Sequence, residues 1–476
     1  MNVDLDEQQL AAVVGLRGPH ANTVVHGSAG TAKTTVFNEA LTHVVPNTVV
    51  FATASTGKAA QGLKSSYHTL QSAGGLLPDL PCPAMTLALF LKCKRYKEDL
   101  ILLARTGHCF TVVIGVDEFG MLTASLFNDL FYWRKSFKRF PNVVVKFWFF
   151  GDCSQLQSPG EAGIFQSTFF QELGRAVCDQ PEQGKIAETA VFCLTKLYRF
   201  AACDELMHIV KLLSFPDRSA HNAVSRLTQA YWHLKTRFVN YHTIPMPKAG
   251  AEGVTKITYT NVAADTFNNR ALETLRATGQ KNFVLFDAKG DIVLRLCVGC
   301  QVVGVQNVYE KMESGKTSMI LANGESAVVD AVLGTPVEDA AVCGIVNVCA
   351  LRVDTDLKIC LIKSNGEETF VGAVRSIGDD GRKGNLIVPV KGKYAGTIHS
   401  FQGDTLCPDL YPKVILDVPS CTSFESFYVM LTRCQYFRQM YVVQFELQFL
   451  LDLFSQKQDA KVRSFAAMVD AHGKKL

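Results

Sequence analysis

The chain lacks several features that would each have set its class. No uninterrupted apolar run approaches the ~20 residues that a membrane helix needs, so no membrane partner is expected. No low-complexity tract and no internal repeat is present, which excludes a repeat architecture. An excess of either charge is lacking: the formal net charge is only +4. A surface for phosphates must therefore be built locally rather than by bulk charge. The 15 cysteines have no regular spacing, which argues against a disulfide framework. The first residues, Met1 to Glu7, are acidic and lack the apolar core of a signal peptide. Reduced thiols in an intracellular compartment, cytoplasm or nucleus, are expected. The one CxxC, Cys297 to Cys300, has no second pair at zinc spacing and reads as strand packing.

Apolar residues are abundant. Hydrophobic residues make up 48% and charged residues 19% of 476, so a large core can form. That length suits roughly two to four domains. Short β-rich apolar runs at Thr23–His26, Asn47–Ala54, Thr111–Val116 and Val143–Phe150 are separated by helical segments. This grammar predicts an α/β fold with a parallel sheet covered on both faces. It returns late, with candidate strands at Lys256–Tyr259, Val414–Leu416 and Tyr428–Leu431. Between about 294 and 390, glycines, valines and short alternations predict a small β-barrel insertion.

The first candidate site is His26-Gly27-Ser28-Ala29-Gly30-Thr31-Ala32-Lys33-Thr34-Thr35. It matches the phosphate-binding pattern G-x-x-x-x-G-K-[ST] except that Ala32 replaces the second glycine. Such a loop turns backbone N–H groups toward a triphosphate. Lys33 would reach the β/γ-phosphates and Thr34 would hold Mg²⁺. A methyl at Ala32 costs little at negative φ and more at positive φ.

Residues C-terminal to the loop supply further chemistry. The apolar strand Val112–Val116 ends in Asp117 and Glu118. Asp117 can serve the metal, and Glu118 can orient or deprotonate an attacking water. A second strand ends near Asp152 and Gln155, and a neutral amide suits sensing of a γ-phosphate. Arg199 and Arg433 are candidate arginine fingers. Two basic stretches are read as structure. The aromatic and basic run from Phe131 to Phe140 suits a helix laid on the sheet. The cluster Lys92, Lys94, Arg95 and Lys97 suits a solvated helix face.

In order and spacing these motifs resemble those of superfamily 1B DNA helicases of the Pif and RecD type. The resemblance covers Leu5 to about Val443. It places Gln9 on the adenine base, and Gly27, Ser28, Ala29, Gly30, Thr31, Ala32, Lys33, Thr34 and Thr35 around the phosphates, with Gln402 facing the nucleotide. Thr56, Gly57 and His68 in the first half, and Thr397 and His399 in Ala395–Gly403, would touch a nucleic-acid strand. Gly299–Val302 and Leu321–Gly324 are similar to the small barrel of that subfamily. Thr260, Asn261 and Asn268 resemble the entry to a second motor domain. Departures are Ala32, Gly120 where serine is usual, and Ser400 where lysine is usual.

The resemblance implies two tandem RecA-like P-loop NTPase domains. The first is expected at 1–200, with a strand-separating insertion at about 75–108. The second is expected at 201–455 with the barrel inside it, followed by a helical tail at 456–476. It implies ATP and Mg²⁺ as cofactors, with ATP in the cleft between the domains. Single-stranded and duplex DNA are the implied partners, with 5′-to-3′ movement. A monomer, and a viral or mobile-element source, fit the small size. An RNA helicase of viral replication, or a nucleic-acid-binding protein with a decayed ATPase, are the alternatives.

Overall fold

A computed structural model of the chain describes residues 5–42, 46–72, 84–152, 155–156, 162–167, 170, 189–214, 222–241, 243–246, 253–276, 281–306, 308–311, 317–321, 325–337, 348–363, 366–377, 383–402, 405–409 and 411–456. Side chains of 65–72 lie outside that description, as do Asn323, Gly324, Gly403, part of the expected 75–108 insertion and the tail beyond Gln456. The chain divides into two compact units. One comprises Met1–His233, Ser423–Gln435 and Leu447–Leu476, and the other Leu234–Thr422 and Tyr436–Glu446.

Six parallel strands form the sheet of the first unit: β1 (Asn22–Gly27), β2 (Thr48–Ala54), β3 (Met85–Thr86), β4 (Phe110–Asp117), β5 (Val143–Gly151) and β6 (Thr189–Leu194). Their spatial order is β3-β2-β4-β5-β1-β6. Successive strand residues point to opposite faces, and both faces are buried, which explains the unbroken apolar runs. Val24, Val112, Ile114, Phe147 and Phe149 join one core. Val25, Val113, Trp148 and Phe150 join the other.

The second core is shared with α1 (Glu7–Arg17), α2 (Lys33–Thr42) and α3 (Gly57–Ser72). Phe37 of α2 sits edge-on to Phe150 at 4.9 Å between ring centres. It packs over Gly115, where an added Cβ would meet the ring at 2.3 Å. Glycine at that point lets the helix after the phosphate loop approach the sheet.

The opposite face carries α4 (Leu87–Lys92), α5 (Lys94–Arg105) and α6 (Ala124–Lys135). On α6, Phe127, Leu130, Phe131 and Trp133 are buried, as the structural reading of the aromatic run expects. Arg134 lies 4.6 Å from the Phe147 ring centre and donates to the Asn22 side chain at 2.8 Å. On α5, Arg95 is exposed and faces Asp99 at 3.6 Å one turn on. Helices α7 (Asp204–Leu213) and α8 (Ala223–Lys235) come next in the chain.

The second unit holds another parallel sheet: β7 (Phe238–Val239), β8 (Val254–Thr258), β21 (Ala395–Thr397), β22 (Lys413–Leu416) and β23 (Met440–Val443), in the order β21-β8-β22-β23-β7. Helix α9 (Asn261–Arg276) is fixed to it by Asn268, whose Oδ1 accepts from the Tyr394 and Ala395 amides at 2.8 and 2.7 Å.

Between β8 and β21 the chain builds smaller sheets. The strands β9 (Asn282–Phe286), β10 (Ile292–Cys297) and β15 (Val348–Arg352) form one. A five-stranded antiparallel sheet joins β11 (Gln301–Gly304), β14 (Ser326–Leu333), β16 (Lys358–Lys363), β17 (Glu368–Gly372) and β20 (Val390–Gly392). Two hairpins complete the region: β12 with β13 (Val308–Lys311, Thr317–Leu321) and β18 with β19 (Val374–Ile377, Lys383–Ile387). Cys297 and Cys300 are both buried free thiols where β10 turns toward β11.

One expected strand is a helix. Tyr428–Leu431 lies within α10 (Phe424–Leu431), which precedes α11 (Leu447–Ser455) in sequence. Ser423 and Ser426 cap α10 reciprocally, each side-chain oxygen accepting from the other's amide at 3.1 Å. Phe424 and every residue from Ser426 to Leu431 are buried. A helix buried all round shows no amphipathic period, so a short apolar run reads equally well as a strand.

Candidate functional site

The phosphate-type loop links β1 to α2, and its shape depends on small residues. Gly30 has φ of 89°, and a Cβ there would meet Arg199 Cβ at 2.7 Å. Ala32 has φ of 62°, inside the left-handed region. The methyl is therefore strained rather than accommodated: an L-residue there costs roughly 1–2 kcal/mol. Lys33 is buried, and its ammonium donates to the carbonyls of Gly27 at 2.7 Å and Ser28 at 3.2 Å. Thr34 and Thr35 stand in the first turn of α2.

Asp117 ends β4, two strands from β1, and lies within electrostatic reach of Lys33. Burial first, then the Glu118 carboxylate, push its carboxyl up to about 7, with Lys33 pulling the other way. Its Oδ1 accepts from the Glu118 amide at 2.9 Å. Glu118 itself has φ of 54° and ψ of 41°. A non-glycine residue held there marks stored backbone strain, which concentrates at functional positions. Gln155 is buried and donates to Asp152 at 3.1 Å, while its Oε1 has no partner among the described residues. An unpaired buried acceptor of this kind calls for a ligand or water.

The adenine-side candidate is tied to the same loop. Gln9 closes a capping box with Asp6 at the start of α1. The Tyr198 hydroxyl donates to Asp6 at 2.6 Å and to Gln9 Oε1 at 3.4 Å. Desolvation and the bond to Asp6 push that phenol up to about 12. The amides of Tyr198 and Arg199 both donate to the Gly30 carbonyl, at 2.8 and 3.1 Å.

The two arginines converge. Arg199 Nη1 donates to the Thr432 carbonyl at 3.1 Å. Arg433, almost fully buried, donates from Nη2 to the Thr432 hydroxyl at 3.2 Å and from Nε to the Val429 carbonyl at 3.0 Å. Arg433 comes just after α10, so the element that leads into it is a helix and not the candidate strand Tyr428–Leu431. The first unit therefore brings together Gln9, Lys33, Thr34, Asp117, Glu118, Gln155, Arg199 and Arg433.

A residue that sequence reasoning passes over joins them. Tyr428 is buried, and its hydroxyl is hydrogen-bonded to Ser214 Oγ at 3.3 Å. Burial and the nearby Asp152 carboxylate push its phenol above its ordinary range. Reading Tyr428–Leu431 as a strand hides it among core residues.

The strand-binding candidates occupy both units. In the first, the Thr56 hydroxyl accepts from the Ala59 amide at 3.2 Å, capping α3, and a Cβ on Gly57 would meet nothing within 4 Å among the described residues. His68 lies in α3, its side chain outside the described residues. In the second unit, Thr397 ends β21 and His399 occupies the next turn. Burial lowers the His399 pKa, which favours the neutral ring. Tyr259 lies beside it, 6.0 Å between ring centres. Gln402 belongs to this second unit, buried, with both side-chain polar atoms unpaired among the described residues.

Comparisons with known proteins agree with this architecture. The AAA domain family model matches residues 4–178. No curated protein matches the sequence. Among solved structures, the Pif1 helicase from Candida albicans is similar with a TM-score of 0.57 at 17% identity, covering 97% of this chain and 98% of that one. The Bacteroides Pif1 bound to ssDNA gives 0.55 at 18%, with 94% of each chain covered. Bacteroides Pif1 with ADP-AlF3 and ssDNA gives 0.52 at 18%, covering 97% and 99%.

The chain has the Pif1 helicase fold.

Within the Pif1 helicase fold, the departures from the helicase motifs acquire physical reasons. A Cβ at Gly120 would come within 3.2 Å of the Asp152 carbonyl oxygen, so the usual serine would be crowded. Ser400 closes its own turn by donating to the Thr397 carbonyl at 2.6 Å, and brings no cation. Ala32 occupies a position shaped for glycine and carries the strain.

Proposed function

We propose that the chain is an ATP-dependent DNA helicase that moves 5′-to-3′ on single-stranded DNA and unwinds duplex. The supporting observation is one cluster: a phosphate-type loop, a buried Asp117 followed by the half-buried Glu118, a Gln155 acceptor unpaired among the described residues, and two arginines. Each component suits phosphoryl transfer to water. The solved Pif1 structures of the same fold include one bound to ssDNA and one with ADP-AlF3 and ssDNA.

In this reading the loop amides and Lys33 bind and neutralise the β/γ-phosphates. Gln9 reads the base. Glu118 orients the attacking water and takes its proton, and Gln155 senses the γ-phosphate through its amide N–H, its oxygen being left to accept from water. Arg199 and Arg433 stabilise charge on the transferring group. Thr34 and Asp117 suit Mg²⁺. A buried carboxylate pushed up by burial and by a second carboxylate is the kind of donor a divalent cation stabilises. When bound, the ion neutralises phosphate oxygens.

Thr56, Gly57, His68, Thr397 and His399 are assigned to the strand. The N-terminus of α3 at Thr56–Gly57 is suited to a backbone phosphate. Gln402 is assigned to the nucleotide. A tandem arrangement of two motor domains with an inserted barrel remains part of the proposal.

The test is strand displacement on forked substrates. A DNA fork with a 5′ single-stranded tail should be opened with ATP, and the 3′-tailed fork should not. Preference for RNA substrates in the same assay would favour the RNA-helicase alternative. DNA binding without ATP hydrolysis would favour the decayed-ATPase reading.

A further inference from the structure

The side-chain oxygen of Gln9, the residue set on the base, is already in use. Its Oε1 accepts from the Asp6 amide at 3.1 Å, and the Asp6 carboxylate accepts from the Gln9 amide at 2.8 Å. The Tyr198 hydroxyl, which donates to the Asp6 carboxylate at 2.6 Å, also lies 3.4 Å from Gln9 Oε1. These bonds fix which end of the carboxamide is which. A backbone N–H can only donate, so the atom facing the Asp6 amide is the oxygen. Turning the carboxamide over would set one donor against another and leave the N-cap amide of α1 unpaired. Gln9 is 3% exposed, and its Nε2 has no partner among the described residues. Tyr198 is in turn held at the phosphate loop, its amide donating to the Gly30 carbonyl at 2.8 Å. The end of Gln9 left for a ligand is therefore a donor, fixed relative to that loop.

A carboxamide with both ends free reads adenine twice: the oxygen accepts from the 6-amino group and the nitrogen donates to N7. Guanine also carries N7, but has the acceptor O6 in place of the amino group. An oxygen aimed at that position would reject guanine, and a nitrogen alone does not. We infer that Asp6 and Tyr198 make this a purine site rather than an adenine site, so that the chain hydrolyses GTP about as well as ATP. This rests on the ATPase reading above. Asp6 and Tyr198 act as specificity-determining residues, because they occupy the oxygen that would otherwise tell the two bases apart. Pyrimidines, which have no N7, are poorer substrates.

The experiment is steady-state hydrolysis by the wild-type full chain with single-stranded DNA, comparing ATP, GTP, CTP and 7-deaza-ATP, in which carbon replaces N7. kcat/KM for GTP should lie within about tenfold of that for ATP, and a larger preference for ATP overturns the inference. 7-deaza-ATP and CTP should each fall by at least about twofold, the lower end of one neutral hydrogen bond, and a smaller fall in either overturns it. This comparison needs no variant. A second arm uses Gln9→Glu. A glutamate keeps an oxygen for the Asp6 amide, closing the same capping box, and puts an acceptor where Nε2 stood. The ratio of kcat/KM for ATP to that for GTP should then rise at least about threefold, because the new acceptor meets the 6-amino group of adenine and opposes O6 of guanine. A substitution that merely loosened the fold would lower both nucleotides together, and an unchanged ratio overturns the inference. Hydrolysis of ATP with GTP refused sinks only this inference. Hydrolysis of neither sinks the ATPase reading as well.

Discussion

Arg199 donates to the carbonyl oxygen of Thr432, at 3.1 Å, one residue before Arg433. Two arginines far apart in sequence are thereby joined through one residue, and one of them is bonded to the phosphate loop. The arrangement explains how a residue at position 433 can serve a loop at position 30.

Ala32→Gly should stabilise the protein. The native φ of 62° is one that glycine adopts freely and alanine does not. Glycine gains entropy in the unfolded chain, so the net gain is about 1 kcal/mol or less. Urea unfolding should show a higher midpoint at unchanged slope. A lower midpoint would mean the loop does not hold this conformation in solution.

Much of the fold is legible in the sequence, and the failures have physical causes. The runs Val112–Val116 and Val143–Phe150 lie in parallel strands because both faces are buried, so a continuous apolar stretch is a sound signal there. The same signal fails at Tyr428–Leu431, where an eight-residue helix is almost wholly buried and capped by Ser423. Ala32 is visible as an anomaly, but its cost depends on a backbone angle that no residue type reports. The bond from Arg199 to the Thr432 carbonyl spans 233 positions of sequence and no local pattern carries it.

Stability should depend on pH through Asp117. Its folded pKa of about 7 lies above the ordinary 3.8, so between those values the folded state holds a proton that the unfolded chain has released. Stability therefore falls as pH rises through that window, by at most about 1.4 kcal/mol per pH unit, and levels off above 7. Asp117→Asn has no such group. In metal-free and nucleotide-free buffer its stability advantage over wild type should grow from pH 5 to 7. An advantage independent of pH would contradict the shift.

The second unit depends on a buried ion pair. Lys256 Nζ and Asp417 Oδ2 are 2.8 Å apart and both nearly inaccessible. Asp417 also accepts from Tyr241 at 2.7 Å and Thr258 at 3.2 Å, so its oxygens are well satisfied. Asp417→Ala leaves the ammonium buried without its partner and should cost about 3–5 kcal/mol. Replacing both residues, as Lys256→Met with Asp417→Leu, should recover part of that loss. Thermal unfolding of the three variants measures it, and a milder effect for the single change than for the pair would contradict the account.

The most direct measurement is ATP hydrolysis by the purified full chain with and without single-stranded DNA, beside Lys33→Ala and Glu118→Gln. The account predicts hydrolysis that rises with the DNA and falls at least about a hundredfold in each variant, since each removes a group acting on the transferring phosphoryl or its water. Turnover in either variant equal to wild type would contradict the assignment of the site.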